Sequence, residues 1–185
     1  MSDLYEYLAL TAVMSWLLSR LLGLFARPRL ASLAGVALGA AAMIAQYLAP
    51  AAAGFSAVFS PVSLGIALAA GADLARPFGW RARRWPVREL LAVLALYVLY
   101  VYASVGEAPA DPYAFGYGGI GPAVVAVVLA GWAWVRRDML LAVVVVAAQV
   151  FWLSGIGSEN FFDHLASALL VPAMLIGLAR RLRGK

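Results

Sequence analysis

Four clusters of basic residues divide this chain into long apolar runs, and their spacing constrains the fold more than any other feature. The clusters are Arg27/Arg29, Arg76–Arg88, Arg136/Arg137 and Arg180–Lys185. Each interval between them has room for two membrane-spanning helices of about 20 residues. Because short arginine-rich loops stay on the cytoplasmic side of a membrane, an even number of crossings must separate neighbouring clusters.

The composition agrees with a membrane location. Apolar residues make up 65% of the sequence and charged residues only 12%, about half the charged share of a soluble domain. The first apolar run follows Asp3 and Glu6 and lacks the basic start of a signal peptide, so it is predicted to be a retained helix. Residues 1–185 are therefore predicted to form one all-α domain of seven short transmembrane helices.

These seven helices are one opening helix and three hairpins, with the N-terminus outside and the C-terminus cytoplasmic. Arginine greatly outnumbers lysine and alanine is abundant. This usage is typical of GC-rich bacterial genomes, so a multi-pass location in a bacterial inner membrane is predicted. Within the second helix, Gly35 and Gly39 form a G-x-x-x-G pattern that predicts close helix packing.

The densest basic cluster is the stretch Arg76–Glu89, RPFGWRARRWPVRE. Tryptophan rings settle at the headgroup level, and arginines there meet anionic lipid headgroups. The residues predicted to contact lipid headgroups are Trp80, Arg81, Arg83, Arg84 and Trp85. Nucleic-acid binding is not predicted, because the basic residues lie at the ends of apolar runs rather than along one soluble face.

Carboxylates are predicted on both sides of the membrane. Those on the inner side lie beside arginines that can neutralise them; the pairs are Asp73 with Arg76, Glu89 with Arg88, and Asp138 with Arg137. On the outer side, carboxylates lack a basic neighbour. We expect Glu107, Asp111 and Tyr113 to meet the third outer turn and form a cation-attracting recess.

The third outer turn contains the motif S-E-N-F-F-D-H, in which Glu159, Asp163 and His164 could bind a divalent cation, the one cofactor that the sequence suggests. Helix capping is the competing interpretation. Asn160 is a favourable N-cap residue, and Asp163 three residues later would complete a capping box. A solvated acidic rim is a further alternative.

The predicted membrane interior contains no ionisable residue, and ion-coupled transporters generally need one there. We therefore expect a non-catalytic subunit or scaffold of a membrane complex, with another membrane protein as its partner. A small channel or transporter using the outer recess is one alternative, and a membrane enzyme acting at the outer interface is another. The sequence contains no nucleotide-binding motif and no cysteine, so no catalytic residues are predicted.

Overall fold

Helices form the regular structure of this protein in the computed structural model, which describes residues 2–48, 62–81, 85–107, 111–167 and 169–182. Those ranges contain no β-strand, and the all-α prediction is confirmed. The helices are α1 (Ser2–Leu22), α2 (Pro28–Leu48), α3 (Leu64–Ala75), α4 (Val87–Tyr102), α5 (Gly121–Arg136), α6 (Met139–Leu153), α7 (Phe161–Leu165) and α8 (Leu170–Leu182). Arg83 and Arg84 lie outside the described residues.

Several helices begin at residues whose side chains satisfy the first backbone N–H groups. The Ser63 hydroxyl accepts a hydrogen bond from the Ile66 N–H at 3.3 Å and caps α3. The Asp138 carboxylate accepts from the Leu141 N–H at 3.1 Å and caps α6. Helix α5 has Pro122 in its first turn, where the missing proline N–H has no intrahelical partner to lose.

Helices α1 and α2 approach each other closely because of the two glycines in α2. A Cβ atom on Gly35 would lie 2.7 Å from the Ser15 carbonyl oxygen, and one on Gly39 would lie 2.3 Å from the Ser15 hydroxyl. Both distances are shorter than real Cβ contacts. The prediction that G-x-x-x-G serves packing is confirmed, since only residues without a Cβ allow this approach.

Helix α3 completes the core with α1 and α2. It packs against α1. Buried residues of α1, α2 and α3 and of the segment before α3 form one cluster, which comprises Ala9, Leu10, Val13, Met43, Val62, Ile66, Ala67 and Ala70. Helix α3 also packs against α6 and α7. A Cβ on Gly65 would lie 2.3 Å from the Leu165 carbonyl oxygen, so the start of α3 meets the end of α7 almost backbone to backbone.

Among the described residues, three segments are long and apolar enough to cross a membrane: Pro28–Ala45, Val87–Val105 and Phe161–Ala179. Large apolar side chains cover much of the outside, for example Phe25 at 91% exposure and Trp134 at 85%. Such a surface is compatible with a membrane protein, whose outer side chains face lipid. Helices α3, α5 and α6 have 12, 16 and 15 residues and are shorter than the predicted spans of about 20.

The last helix, predicted as one continuous span, is interrupted. Helix α7 ends at Leu165, and Ala166 is extended with φ −142° and ψ 148°. Helix α8 then begins at Leu170, so Pro172 lies in its first turn. A proline is tolerated there, whereas inside one continuous helix it would remove a hydrogen bond and clash with the preceding turn.

Candidate functional site

One end of the bundle gathers the starts of α1, α3 and α7 and the end of α6. The Tyr5 hydroxyl donates to the Val62 carbonyl oxygen at 2.9 Å. The Tyr5 ring packs edge to face, with its centroid 5.3 Å from that of Phe151 and 6.3 Å from that of His164. Tyr5 thus joins three segments that are far apart in sequence.

Asn160 anchors α7 at this end. Its side-chain oxygen accepts from the Phe162 N–H at 2.9 Å, which confirms the predicted N-cap. Its amide nitrogen donates to the Tyr113 carbonyl oxygen at 2.9 Å. The loop after α4 comes so close that a Cβ on Gly116 would lie 1.9 Å from the Asn160 side-chain oxygen. Asn160 therefore links the turn before α7 to the loop that contains Tyr113 and Gly116.

Asp163 lies at the centre of a small hydrogen-bond network. One carboxylate oxygen, Oδ2, accepts from the Ser158 hydroxyl at 2.6 Å and from the Tyr113 hydroxyl at 2.9 Å. The predicted capping box would instead have Asp163 accept from the Asn160 N–H. That N–H donates to the Ser158 hydroxyl oxygen at 3.0 Å. The capping-box prediction is wrong in this detail, because the Ser158 hydroxyl lies between the two groups and relays the hydrogen bond.

Tyr113 keeps its proton in this arrangement. Burial raises the pKa of its phenol well above the ordinary value, and the hydrogen bonds and charge of the neighbouring groups act in the same direction. A neutral phenol can donate to the Asp163 carboxylate, whereas a phenolate could not. The Tyr113–Asp163 contact is therefore a donor–acceptor pair throughout the physiological pH range.

His164 is buried, with 1% of its surface exposed. Its Nε2 lies 3.0 Å from the Ser158 carbonyl oxygen. Because a carbonyl oxygen can only accept, Nε2 carries the proton in this contact. The ring also packs against Phe151, with centroids 6.3 Å apart. His164 thus closes the turn before α7 by a hydrogen bond and by ring packing.

The structure brings together some of the residues predicted for the outer site and separates others. Tyr113, Asp163 and His164 share the network around Ser158, whereas the Glu159 side chain is exposed. Asp111 accepts from the Tyr113 backbone N–H at 2.9 Å within its own turn. The side chain of Glu107 is outside the described part of the structure. Among the described residues, no three His, Asp or Glu side chains are grouped to hold a metal ion, so Glu159, Asp163 and His164 do not form the predicted metal site in this arrangement.

The opposite end of the bundle is built around Asp73 of α3. Its Oδ2 forms an ion pair with Arg20 and accepts from the Trp16 indole N–H at 2.6 Å. Its Oδ1 lies 3.3 Å from Arg76 Nη1. The predicted Asp73–Arg76 pair is confirmed, but the Trp16 and Arg20 contacts were missed. Their signal was present in the sequence, since residues four apart on a helix project from one face.

The other two inner carboxylates have partners different from those predicted. Glu89 pairs with Arg136 instead of Arg88. Asp138 accepts from the Trp85 indole N–H at 2.5 Å instead of pairing with Arg137. For Glu89 the reason is geometric, because Arg88 and Glu89 are adjacent on α4 and neighbouring helix residues do not face each other. Arg137 and Asp138 instead lie in the turn between α5 and α6, where Asp138 caps α6. Trp85, predicted to contact lipid headgroups, makes this intramolecular contact at the arginine-rich end.

A groove of about 880 Å³ opens at the Asp73 end, between the end of α1, the start of α2 and the end of α3. Its wall includes Arg20, Asp73, Arg76, Trp80 and Arg81. Two of the residues predicted to contact headgroups, Trp80 and Arg81, therefore line one concave surface. We call it the Asp73 groove.

No protein-family model, curated protein or solved structure matches this chain. The two ends of the bundle and the apolar surface between them are therefore the features that indicate a function.

Proposed function

We propose that this protein is a seven-span bacterial inner-membrane protein that acts as a non-catalytic subunit or scaffold of a membrane complex. Its arginine-rich end would face the cytoplasm and the Tyr113–Asp163 end the exterior. The contacts of the described helices support this orientation. Arg20 of α1 and Asp73 of α3 meet at one end, and Tyr5 of α1 and Val62 before α3 meet at the other.

Several of the described helices are shorter than the thickness of a membrane's hydrocarbon core. At 1.5 Å per residue, α3, α5 and α6 extend roughly 18, 24 and 22 Å, less than a hydrocarbon core of about 30 Å. Spans this short require local thinning of the bilayer or additional non-helical residues at their ends. The proposal of seven crossings therefore implies either a locally thinned membrane or non-helical residues that extend these three spans.

The non-catalytic assignment depends on one observation: the polar side chains at the Tyr113–Asp163 end form hydrogen bonds within the protein. Asn160 caps α7 and binds the Tyr113 carbonyl. Asp163 holds two hydroxyl groups, and His164 is buried against the Ser158 carbonyl. Each group joins two chain segments, as expected of residues that maintain a fold. A catalytic acid or base would instead have to reach a substrate.

Topology can be tested with single cysteines, because the natural chain has none. Gly118→Cys lies in the second outer turn, and a Cβ there meets nothing within 4 Å. Arg88→Cys lies on an exposed position at the start of α4. A membrane-impermeant maleimide should label intact cells only at position 118, and position 88 only after permeabilisation. Labelling of both positions from the same side would contradict the proposed orientation.

The subunit role can be tested on the protein extracted from its native membrane in mild detergent. We expect a particle with a fixed stoichiometry of this chain and a second polypeptide, measured by quantitative mass spectrometry after chemical cross-linking. A particle containing only this 19.6 kDa chain would contradict the proposal.

A channel or transporter is the second candidate, and the interrupted final helix favours it. Transporter binding sites are often formed where membrane helices are broken. At this break, the Ser167 hydroxyl is buried without a hydrogen-bond partner among the described residues. The Gln149 side-chain oxygen on α6 is likewise buried without a described partner. Proteoliposomes containing the purified chain should conduct or transport a solute if this candidate is correct. Loss of that flux in Gln149→Leu, with unchanged protein content, would assign it to these groups.

A further inference from the structure

The Asp73 groove combines a cluster of guanidinium groups with an exposed apolar edge. Three arginines line it, namely Arg20, Arg76 and Arg81, against one carboxylate. The groove therefore has an excess of positive charge. A ligand that fits it must carry negative charge.

Asp73 holds two of these arginines in position. It holds Arg20 through Oδ2 and Arg76 through Oδ1, and its own side chain is only 20% exposed. The Trp16 indole N–H fixes the same carboxylate from α1 at 2.6 Å. A guanidinium group carries five N–H donors in a planar fork, so pairing with one carboxylate oxygen does not exhaust the donors of Arg76. Asp73 thus orients cationic groups while neutralising only part of their charge.

The edge of the groove is apolar. Leu24 lines it and is 74% exposed, and Trp80 lines it and is 48% exposed. Phe25, next to Leu24, is 91% exposed. A ligand in contact with both parts would be amphipathic, with an anionic head at the arginines and an apolar portion along Leu24. Arginine favours phosphate because its fork can donate two parallel hydrogen bonds.

We propose that the Asp73 groove is a binding site for the phosphate group of an anionic phospholipid. Arg76 and Arg81 contact the phosphate, Asp73 positions Arg76, and Leu24 and Trp80 contact the glycerol and upper acyl chains. This proposal rests on the proposed membrane location, with the arginine-rich end at the cytoplasmic headgroup level. It goes beyond general attraction of basic residues to a charged membrane, because it predicts a saturable site with a defined set of residues.

The test is thermal unfolding of the purified full-length protein in mild detergent, titrated with defined additives. Phosphatidylglycerol should raise the midpoint temperature saturably, since a ligand that binds only the folded state stabilises it by mass action. Phosphatidylcholine with the same acyl chains should have a much weaker effect, because its choline carries a compensating positive charge. An equal response to both lipids would reflect general lipid solvation and would overturn the proposal.

Inorganic phosphate and glycerol phosphate separate the two sources of the phosphate group. If they stabilise the protein at the concentrations at which phosphatidylglycerol does, the groove is a phosphate site for a soluble ligand. If only the lipid acts, the apolar edge contributes and the lipid source is supported. Absence of any response to lipid or soluble phosphate would overturn the site altogether.

Variants of the groove residues test whether stabilisation by phosphatidylglycerol arises at the groove. Arg81→Gln leaves the three Asp73 contacts in place, and Arg76→Gln/Arg81→Gln removes both proposed phosphate ligands. We expect the double variant to need about tenfold more phosphatidylglycerol, or more still, for half-saturation. The matched control is Arg88→Gln/Arg181→Gln, which removes equal charge outside the groove lining. An equal loss in the control would show a diffuse charge effect and overturn the proposal.

Two further measurements keep the test decisive if the double variant does not fold or if the orientation is wrong. If the double variant does not fold, Arg81→Gln alone and native mass spectrometry of the wild-type protein still decide the question. The wild-type protein should retain phosphatidylglycerol in preference to phosphatidylcholine. The cysteine-labelling result is independent of these measurements. A correct topology without lipid selectivity would reject the groove and leave the membrane assignment intact, whereas inverted labelling would reject the orientation itself.

Discussion

Helices α1 and α4 are both apolar and long, yet they are packed in opposite ways. Leu10 and Val13 of α1 are 2% and 5% exposed, whereas α4 contains no buried residue. The difference in burial follows from the size of the side chains at the helix surfaces. Helix α1 faces the small residues of α2 around Gly35 and Gly39, whereas α4 is covered with leucine, valine and tyrosine.

This contrast shows that hydrophobicity alone does not determine which helix enters the core. Lipid tails are as apolar as leucine, so burying a leucine against another helix gains little from exclusion of water. Close contact of backbones gains dispersion energy instead, and it requires residues with small or no side chains. The three predictions below test this explanation, beginning with the largest expected effect.

Gly39→Val should break the α1–α2 contact. A Cβ at this position would lie 2.3 Å from the Ser15 hydroxyl oxygen and 2.8 Å from the Ser15 Cα, so the helices must separate. We expect the free energy of unfolding to fall by about 3 kcal/mol or more, measured as a lower midpoint temperature in detergent. Gly131→Val in α5 is the matched control, since a Cβ there meets nothing within 4 Å. Equal losses at both positions would contradict the packing explanation.

Leu10→Ala and Leu99→Ala compare the same truncation in the two helices. Leu10 is 2% exposed and Leu99 is 63% exposed. Truncation in the core should cost about 2 to 4 kcal/mol because it leaves a cavity, and truncation on α4 should stay within about 0.5 kcal/mol. Both values come from thermal or denaturant unfolding of the purified variants. A large cost at Leu99 would mean that α4 is packed against a partner in the measured sample.

Tyr113→Phe tests whether the segment after α4 is held by hydrogen bonds rather than by helix packing. The variant loses the phenol–carboxylate hydrogen bond to Asp163, and we expect a loss of about 1 to 2 kcal/mol at neutral pH. Tyr102→Phe, at an exposed ring on α4, is the control and should be nearly neutral.

The Tyr113 effect should also depend on pH. Because the folded-state pKa of this phenol is raised, its stabilising contribution is fully present below the ordinary tyrosine pKa of about 10. It is lost as pH rises through the higher folded-state value. The difference in midpoint temperature between wild type and Tyr113→Phe should therefore be constant from pH 6 to about 9 and shrink only at more alkaline pH. A difference that shrinks below pH 8 would contradict the assigned donor role.

The candidate sites could be predicted where the interactions are local. The Asn160 cap and the Asp73–Arg76 pair depend on residues at most three positions apart on a helix, where spacing determines direction. Glu89 and Asp138 could not be paired correctly, because their partners Arg136 and Trp85 lie about 50 residues away. Sequence adjacency favoured Arg88 and Arg137, which are exposed.

The Tyr113–Asp163 end also contains an interaction that the sequence pattern did not predict. The proximity of Tyr113 to Asp163 was expected from the need to balance unpartnered carboxylates, and the two groups are in hydrogen-bond contact. The role of Ser158 was not foreseen. Its hydroxyl accepts from one backbone N–H and donates to Asp163, and such a relay depends on the positions of three groups within one turn. No residue pattern encodes those positions directly.

The sequence by itself determined the helical class, the apolar character of the surface and the separation of the basic clusters from the acidic turns along the chain. These properties follow from composition and from the spacing of charges along the chain, which exist before any folding. Only the tertiary structure decided which helices form the core, that the last helix is interrupted at Ala166, and that Arg20, Arg76 and Arg81 line one groove around Asp73. Those features depend on contacts between helix ends, and such contacts exist only once the helices are packed.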